Sequence, residues 1–203
     1  RVNIVALDLP GHGRSDGSGK DTIAEYAQAV DDFLAGMEAP KPVPCGFSLG
    51  GAIAQQLLMD YPQRYSAGIL IGTGVRMKVG PIIFETIEED FDKFVDMLCK
   101  LATSKKTDPA NILSFKEELS KSIPEVISGD FRACDRFDAG TDLDSIEMPV
   151  LIITAEDDIL TPAKYGDVLE EKIQNAHRVH VMDAGHLMVL EKPEEINRAI
   201  IGF

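Results

Sequence analysis

The chain has 203 residues, of which 44% are hydrophobic and 27% are charged, as expected for a globular protein with one large domain or a domain carrying an insertion. Its formal charge of −14 would repel nucleic acids and anionic membranes, so neither is expected as a partner. Three cysteines without a C-x-x-C pair argue against a disulfide framework or a zinc site, and they favour a reducing, cytoplasmic location.

Predicted strands and helices alternate along the first part of the chain. Apolar runs predict strands at 2–8, 43–46 and 66–72, and amphipathic patterns predict helices at 21–37, with Asp21 as the N-cap, and at 49–60. The alternation resumes near the C-terminus with a strand at 149–154, a helix at 162–173, a strand at 177–182 and a helix at 193–202. Such alternation is typical of a mostly parallel sheet with helices on both faces, so the sequence predicts an α/β fold.

The alternation stops between residues 75 and 145, where three helical patterns follow one another without a strand. The first, ETIEEDFDKFVDMLCKLA, has apolar residues at helical spacing, namely Ile87, Phe91, Phe94, Val95, Leu98 and Leu101. The others lie around 109–122 and 129–138. These apolar stripes can pack on one another and on the sheet, or line a pocket, and both can hold at once. We therefore expect a core in two parts, 1–74 and 146–203, with 75–145 inserted as a helical cap or lid.

A serine stands between the predicted strand at 43–46 and the predicted helix at 49–60, in the motif GFSLGG. A Gly-x-Ser-x-Gly motif at a strand-to-helix junction is typical of a nucleophile elbow, which exposes the hydroxyl of the serine, here Ser48. We expect a strained backbone at Ser48, and glycine at both 46 and 50 because side chains there would collide. The backbone N–H of Leu49, at the start of the helix, can donate to an oxyanion.

A serine hydroxyl is a weak nucleophile without a base, so the proposal of a nucleophilic Ser48 requires a histidine that can act as that base. His186 lies in the loop after the predicted strand at 177–182, at the same edge of the sheet as Ser48, and is the candidate base. His12 precedes the serine in the chain. The remaining two, His177 and His180, lie within a predicted strand, where a structural or surface role is expected.

The acid that would orient this base is expected after the preceding strand, where the chain reads LIITAEDDILTP. Asp157 and Asp158 are both available there. With these residues in place, the sequence resembles the α/β-hydrolase superfamily, and GFSLGGAIAQQL is most similar to its esterase, enol-lactonase and cofactor-free haloperoxidase group. The family's acid loop, G-x-x-D-x-x-x-P, matches residues 155–162 with alanine at the first position, and this register selects Asp158. LDLPGHGRSD (7–16) and GHLMVLEKPEEI (185–196) are also similar to family segments.

The resemblance implies a serine hydrolase that cleaves a carboxylic ester, a lactone or a thioester of a small-molecule acyl substrate through an acyl-enzyme. Ser48 would attack the acyl carbonyl, His186 would accept its proton and Asp158 would orient His186. Leu49 would supply one oxyanion donor, and neither a metal nor a cofactor is needed. Two alternatives stay open: a C–C bond hydrolase or lyase on the same three residues, and a non-catalytic hydrolase-like binding protein.

The sequence departs from the family pattern at its start. Members that resemble it have further strands before the segment 7–16, and an HG-containing loop whose backbone N–H is the second oxyanion donor. The chain begins immediately before the predicted strand at 2–8. We therefore expect the missing strands and the second donor to belong to a longer form of the same chain, with a separate polypeptide as the alternative source. Direct pairing of 2–8 with 43–46 in a closed sheet would contradict this expectation.

Overall fold

A parallel sheet forms the centre of the molecule in the computed structural model, which describes residues 3–37, 41–140 and 142–203. Its strands are β1 (Cys45–Phe47), β2 (Gly68–Ile71), β3 (Val150–Ala155) and β4 (Ala176–Val181), in the spatial order β1-β2-β3-β4. Every neighbouring pair is parallel; for example, Gly46 pairs with Leu70, and Ile71 pairs with Ile153. All strands therefore end at the same edge of the sheet.

Helices connect the strands and cover the sheet. They are α1 (Ile23–Gly36), α2 (Leu49–Asp60), α3 (Pro81–Glu89), α4 (Phe91–Leu101), α5 (Leu113–Ser120), α6 (Pro124–Arg136), α7 (Ala163–Lys172), α8 (Met188–Glu191) and α9 (Pro193–Gly202), with short 3₁₀ turns at Pro109–Ile112 and Leu143–Ser145. The predicted α/β class is confirmed, and most elements lie within two residues of their predicted bounds. None of the helices in the described ranges is long and apolar enough to cross a membrane.

The two faces of the sheet bury separate apolar cores, because successive strand residues point to opposite faces. Leu70 and Ile152 belong to the core that includes α1, α2 and α7. Ile71 and Ile153 belong to the other core, which includes Ile196 of α9. Burial on both faces explains why β2 and β3 have continuous apolar sequences, with no alternation of polar residues.

The prediction of a strand at 2–8 is wrong for the residues that are described, while Val2 lies outside them. Residues 3–9 have no regular structure, and the side chains of Ile4 and Val5 are 85% and 51% exposed. An apolar run becomes a strand only where a neighbour accepts its backbone hydrogen bonds, and residues 3–9 do not pair with β1. The predicted cap of α1 is also wrong by one residue, because Thr22, not Asp21, accepts a hydrogen bond from the N–H of Glu25.

The helices α3 to α6 are inserted between β2 and β3, and we call them the helical insertion. The first predicted helical pattern is split between α3 and α4 because Asp90 leaves the helical conformation and its carboxylate caps α4 by accepting from the N–H of Lys93 (3.0 Å). Apolar side chains of the insertion pack mainly on one another, around Phe94 and Leu98, and Leu160 of the loop after β3 packs against this cluster.

Candidate active site

Ser48 occupies the sharp turn between β1 and α2. Its φ of 53° is positive, as the prediction of a strained backbone requires, and its N–H donates to the carbonyl of Ile71 at the end of β2 (2.9 Å). A Cβ on Gly46 would overlap the carbonyl oxygen of Gly50, so glycine is needed at 46. The prediction for Gly50 is wrong, because a Cβ there would meet no atom within 4 Å.

Three side chains from separate loops form a line of hydrogen bonds at the carboxyl edge of the sheet. The Oγ of Ser48 lies 2.9 Å from Nε2 of His186, and Nδ1 of His186 lies 2.9 Å from Oδ2 of Asp158. A carboxylate only accepts, so Nδ1–H of His186 donates to Asp158 and leaves Nε2 free to accept the proton of Ser48. His186 and Asp158 are 6% and 4% exposed, which removes water from their hydrogen bond.

The carboxylate of Asp158 is fixed by its own loop. Its Oδ1 accepts from the N–H groups of Leu160 (2.9 Å) and Thr161 (2.8 Å), and its Oδ2 accepts from the hydroxyl of Thr161 (2.7 Å) as well as from His186. These donors hold the carboxylate in one orientation, so it can in turn set the orientation of the imidazole ring.

Thr161 is a polar contact of the imidazole that sequence reasoning missed. Its Oγ1 lies 3.1 Å from Nδ1 of His186 while its proton is directed at Asp158, and the side chain is buried. The hydroxyl therefore accepts part of the Nδ1–H donation. The only signal in the sequence is its position three residues after Asp158, where a threonine hydroxyl can reach back to an aspartate in a tight loop.

The oxyanion prediction concerns Leu49, which is the first residue of α2. The N–H groups of Gly51 and Ala52 already bond to the carbonyl of Ser48, at 2.9 and 3.2 Å. The N–H of Leu49 precedes them in the first helical turn, where no earlier turn offers a carbonyl acceptor. It lies next to the nucleophilic oxygen in the chain and at the positive end of the helix dipole.

The remaining sequence candidates lie outside this line of hydrogen bonds. The carboxylate of Asp157, the alternative acid, accepts from the hydroxyl of Ser104 in the helical insertion (2.5 Å). His12 contacts Asp130 of α6 (2.8 Å), and His180 contacts Thr154 (3.0 Å). Of the two aspartates in the loop after β3, only Asp158 reaches the imidazole of His186.

Comparison with known proteins places this chain in a family. Residues 1–199 match the model of the alpha/beta hydrolase family. A pimeloyl-[acyl-carrier protein] methyl ester esterase of Nitrosomonas europaea is 25% identical over 96% of this chain and 82% of its own length. A thermophilic esterase of known structure is 34% identical, with a TM-score of 0.87 over 96% of this chain and 77% of its own. The enol-lactonase of Burkholderia xenovorans LB400 has a TM-score of 0.89 over the same shares of the two chains, at 19% identity, and is similar in fold.

Proposed function

The chain belongs to the alpha/beta hydrolase family and is an ester-hydrolysing enzyme, and from that premise we propose that it acts through a Ser48-His186-Asp158 triad and an acyl-enzyme. The observation that carries the proposal is the continuous hydrogen-bonded line from Ser48 Oγ through His186 to Asp158, with both contacts at 2.9 Å. Every step of acyl transfer needs one of these three groups at that spacing.

In the proposed reaction, His186 removes the proton of Ser48 as Oγ attacks the acyl carbonyl. The positive charge on the imidazole is stabilised by Asp158, whose carboxylate is buried against it. The N–H of Leu49 donates to the developing oxyanion. His186 then protonates the alcohol that leaves, and later activates a water molecule that releases the acid and restores Ser48. No step uses a metal ion or an organic cofactor.

The helical insertion is proposed as a lid that contributes to the substrate pocket. Leu160, within the loop that holds Asp158, packs against the apolar cluster of the insertion, so the lid and the acid loop share one apolar surface. Apolar side chains beside the loop that holds Asp158 favour a neutral or apolar acyl group over a charged one. We propose a small-molecule carboxylic ester of this kind as substrate, and a cytoplasmic location that keeps Cys45, Cys99 and Cys134 reduced.

Hydrolysis of p-nitrophenyl esters of graded acyl length, together with methyl esters, tests the proposal. The parent is expected to release acid and alcohol, with a preference set by acyl length, and Ser48→Ala is expected to lose roughly 10⁴-fold or more in kcat. Asp158→Asn should lose nearly as much, because it places the imidazole proton on the wrong nitrogen. Turnover by Ser48→Ala equal to the parent would refute the triad, and cleavage only of C–C bonds would indicate the alternative chemistry.

A further inference from the structure

One turn of the helical insertion contacts the two loops that hold the proposed acid and the proposed base. This turn, residues 102–107, follows α4. The carbonyl of Ala102 accepts from the N–H of Leu187, next to His186 (2.8 Å), and the hydroxyl of Ser104 donates to Asp157, next to Asp158 (2.5 Å). The turn 102–107 therefore contacts the chain neighbours of both the proposed acid and the proposed base.

A single carboxylate, that of Glu191, lies at the centre of this junction. Its Oε1 accepts from the N–H of Gly185 (3.0 Å), and its Oε2 accepts from the N–H of Ser104 (3.0 Å) and from the hydroxyl of Thr107. Two of the donors are on the insertion, and the third immediately precedes His186. An ionised carboxylate accepts several such bonds at once, and each is stronger than a bond between neutral groups.

The loop that contains His186 packs tightly against the turn 102–107. A Cβ on Gly185 would lie 2.6 Å from both the nitrogen of Ser104 and the carbonyl carbon of Thr103. Backbone packs directly on backbone there, so small movements of the turn are transmitted to residue 185. The bond from its N–H to Glu191 fixes the peptide plane between Ala184 and Gly185, one residue before the plane that joins Gly185 to the candidate base.

We infer that Glu191 is a positioning residue, which holds His186 in register with Ser48 by tying its loop to the turn 102–107. The inference rests on the proposed function of His186 as the base. Proton transfer demands heavy-atom distances near 3 Å, and a misplacement of about 1 Å can cost about 10²-fold in rate. A purely structural role for Glu191 would instead change the stability of the fold and leave the turnover of each folded molecule unchanged.

Glu191→Gln tests this with little change in shape, because one acceptor oxygen becomes an NH₂ group that must face an N–H or O–H donor. The matched control is Glu194→Gln, three residues further on at an exposed position of α9. With active sites counted by burst titration, Glu191→Gln is expected to lower kcat by about 10- to 100-fold. KM should change less than about threefold, since no substrate contact is removed. Glu194→Gln should match the parent in both parameters.

The NMR signal of the Nδ1 proton of His186 gives a readout that does not depend on turnover. This proton lies between His186 and Asp158. It should give a sharp signal far downfield of the amide protons, both in the parent and in Glu194→Gln. Glu191→Gln should broaden or lose it, while the melting temperature shows that the fold persists. Parent-like kcat per titrated site with an unchanged signal in Glu191→Gln would overturn the inference. Failure of the proposed function would appear separately, as activity retained in Ser48→Ala, and the proton signal would still decide the role of Glu191.

Discussion

Two of the attachments between the helical insertion and the rest of the molecule differ in their chemistry. At the first, the catalytic-side attachment, residues 102–107 bond to Glu191 and Asp157, beside the proposed base and acid. At the second, the α6 attachment, Asp130 accepts from the ring of His12 (2.8 Å) and from the hydroxyl of Tyr26 (2.6 Å). A further contact strengthens the α6 attachment, because Gly129 packs on the backbone of Lys20.

The difference predicts separate consequences for the two attachments. The first contacts the loops that position His186 and Asp158, so its disturbance should lower turnover. The second, through Asp130 and Gly129, contacts the segment 10–20 and α1, which hold none of the three triad residues, so its disturbance should lower stability and leave turnover intact. Among the bonds that form the two attachments, the contact of His12 with Asp130 in the second joins an imidazole to a carboxylate, so the pH dependence of attachment should come from there.

The largest expected contrast uses one alanine at each attachment. Gly185→Ala places a Cβ 2.6 Å from the backbone of Ser104 and Thr103, whereas Gly129→Ala places one 2.9 Å from the carbonyl oxygen of Lys20. Both should cost about 1–3 kcal/mol of stability through overpacking. Only Gly185→Ala should also lower kcat, by about 10²-fold, because the loop of His186 must move.

Chemical denaturation with active-site titration on both variants measures this contrast. Gly50→Ala, whose Cβ meets no atom within 4 Å, is the control for adding a methyl group near the site without overlap. Equal losses of kcat in Gly185→Ala and Gly129→Ala would show that the two attachments do not differ in the proposed way.

Asp130→Asn should weaken the α6 attachment alone. The change removes the charge that His12 and Tyr26 both bond, at a position that is 9% exposed, and should cost about 1.5–3 kcal/mol of unfolding free energy. Urea denaturation measures the loss, and Asp92→Asn, at an exposed position in α4, is the control. A fall in kcat beyond about threefold in folded Asp130→Asn would contradict the separation of the two regions.

Thr161→Val probes the acid loop with a smaller change. Valine keeps the shape of threonine but removes the hydroxyl that lies 2.7 Å from Asp158 and 3.1 Å from Nδ1 of His186. One hydrogen bond of about 1 kcal/mol corresponds to roughly a fivefold loss of kcat, with KM little changed. An unchanged kcat would mean that the bonds from the backbone N–H groups of Leu160 and Thr161 suffice to hold the carboxylate.

The smallest effect concerns pH. The hydrogen bond to Asp130 raises the pKa of His12 above its usual value of 6.5, against the opposing effect of burial. A raised pKa in the folded state means that this stabilisation is complete below pH 6.5 and is lost as the pH rises through the raised pKa. The melting temperature of the parent should therefore exceed that of His12→Gln most below pH 6.5, and the gap should narrow above it.

The other titratable groups near His12 do not change the expected direction of this pH dependence. Asp8 adds a weaker attraction that also raises the pKa of His12. Burial raises the pKa of Tyr26, and it raises the pKa of Cys134 to about 12, so both stay protonated across the range measured. A gap in melting temperature that widens with rising pH would have the wrong sign for this account.

The parts of the site that sequence predicted are those with local causes. Ser48 and Asp158 follow strands, and His186 lies in the loop after another strand, so the parallel sheet brings them to one edge. The role of Glu191 depends on a contact across the fold, because it bonds Ser104, 87 residues away in the chain. Thr161 has a local contact with Asp158, but its contact with His186 joins residues 25 apart. No local pattern encodes such a pairing.

The errors have equally physical causes. The apolar run at 2–8 has the composition of a strand, but pairing, and not composition, makes a strand, and residues 3–9 have no strand partner in the described part of the chain. The sequence predicts glycine at 50, as at 46, because a side chain at either position is expected to collide with the turn. The turn in fact crowds only Gly46, because its Cβ would point at the backbone of residue 50.

The measurement that tests the central claim most directly is the intact mass of the protein after treatment with a fluorophosphonate. The account predicts one adduct on the parent and none on Ser48→Ala, because only a hydroxyl activated by His186 attacks the reagent quickly. Asp158→Asn should be labelled far more slowly than the parent. Adducts of equal yield on the parent and on Ser48→Ala would contradict the proposed triad.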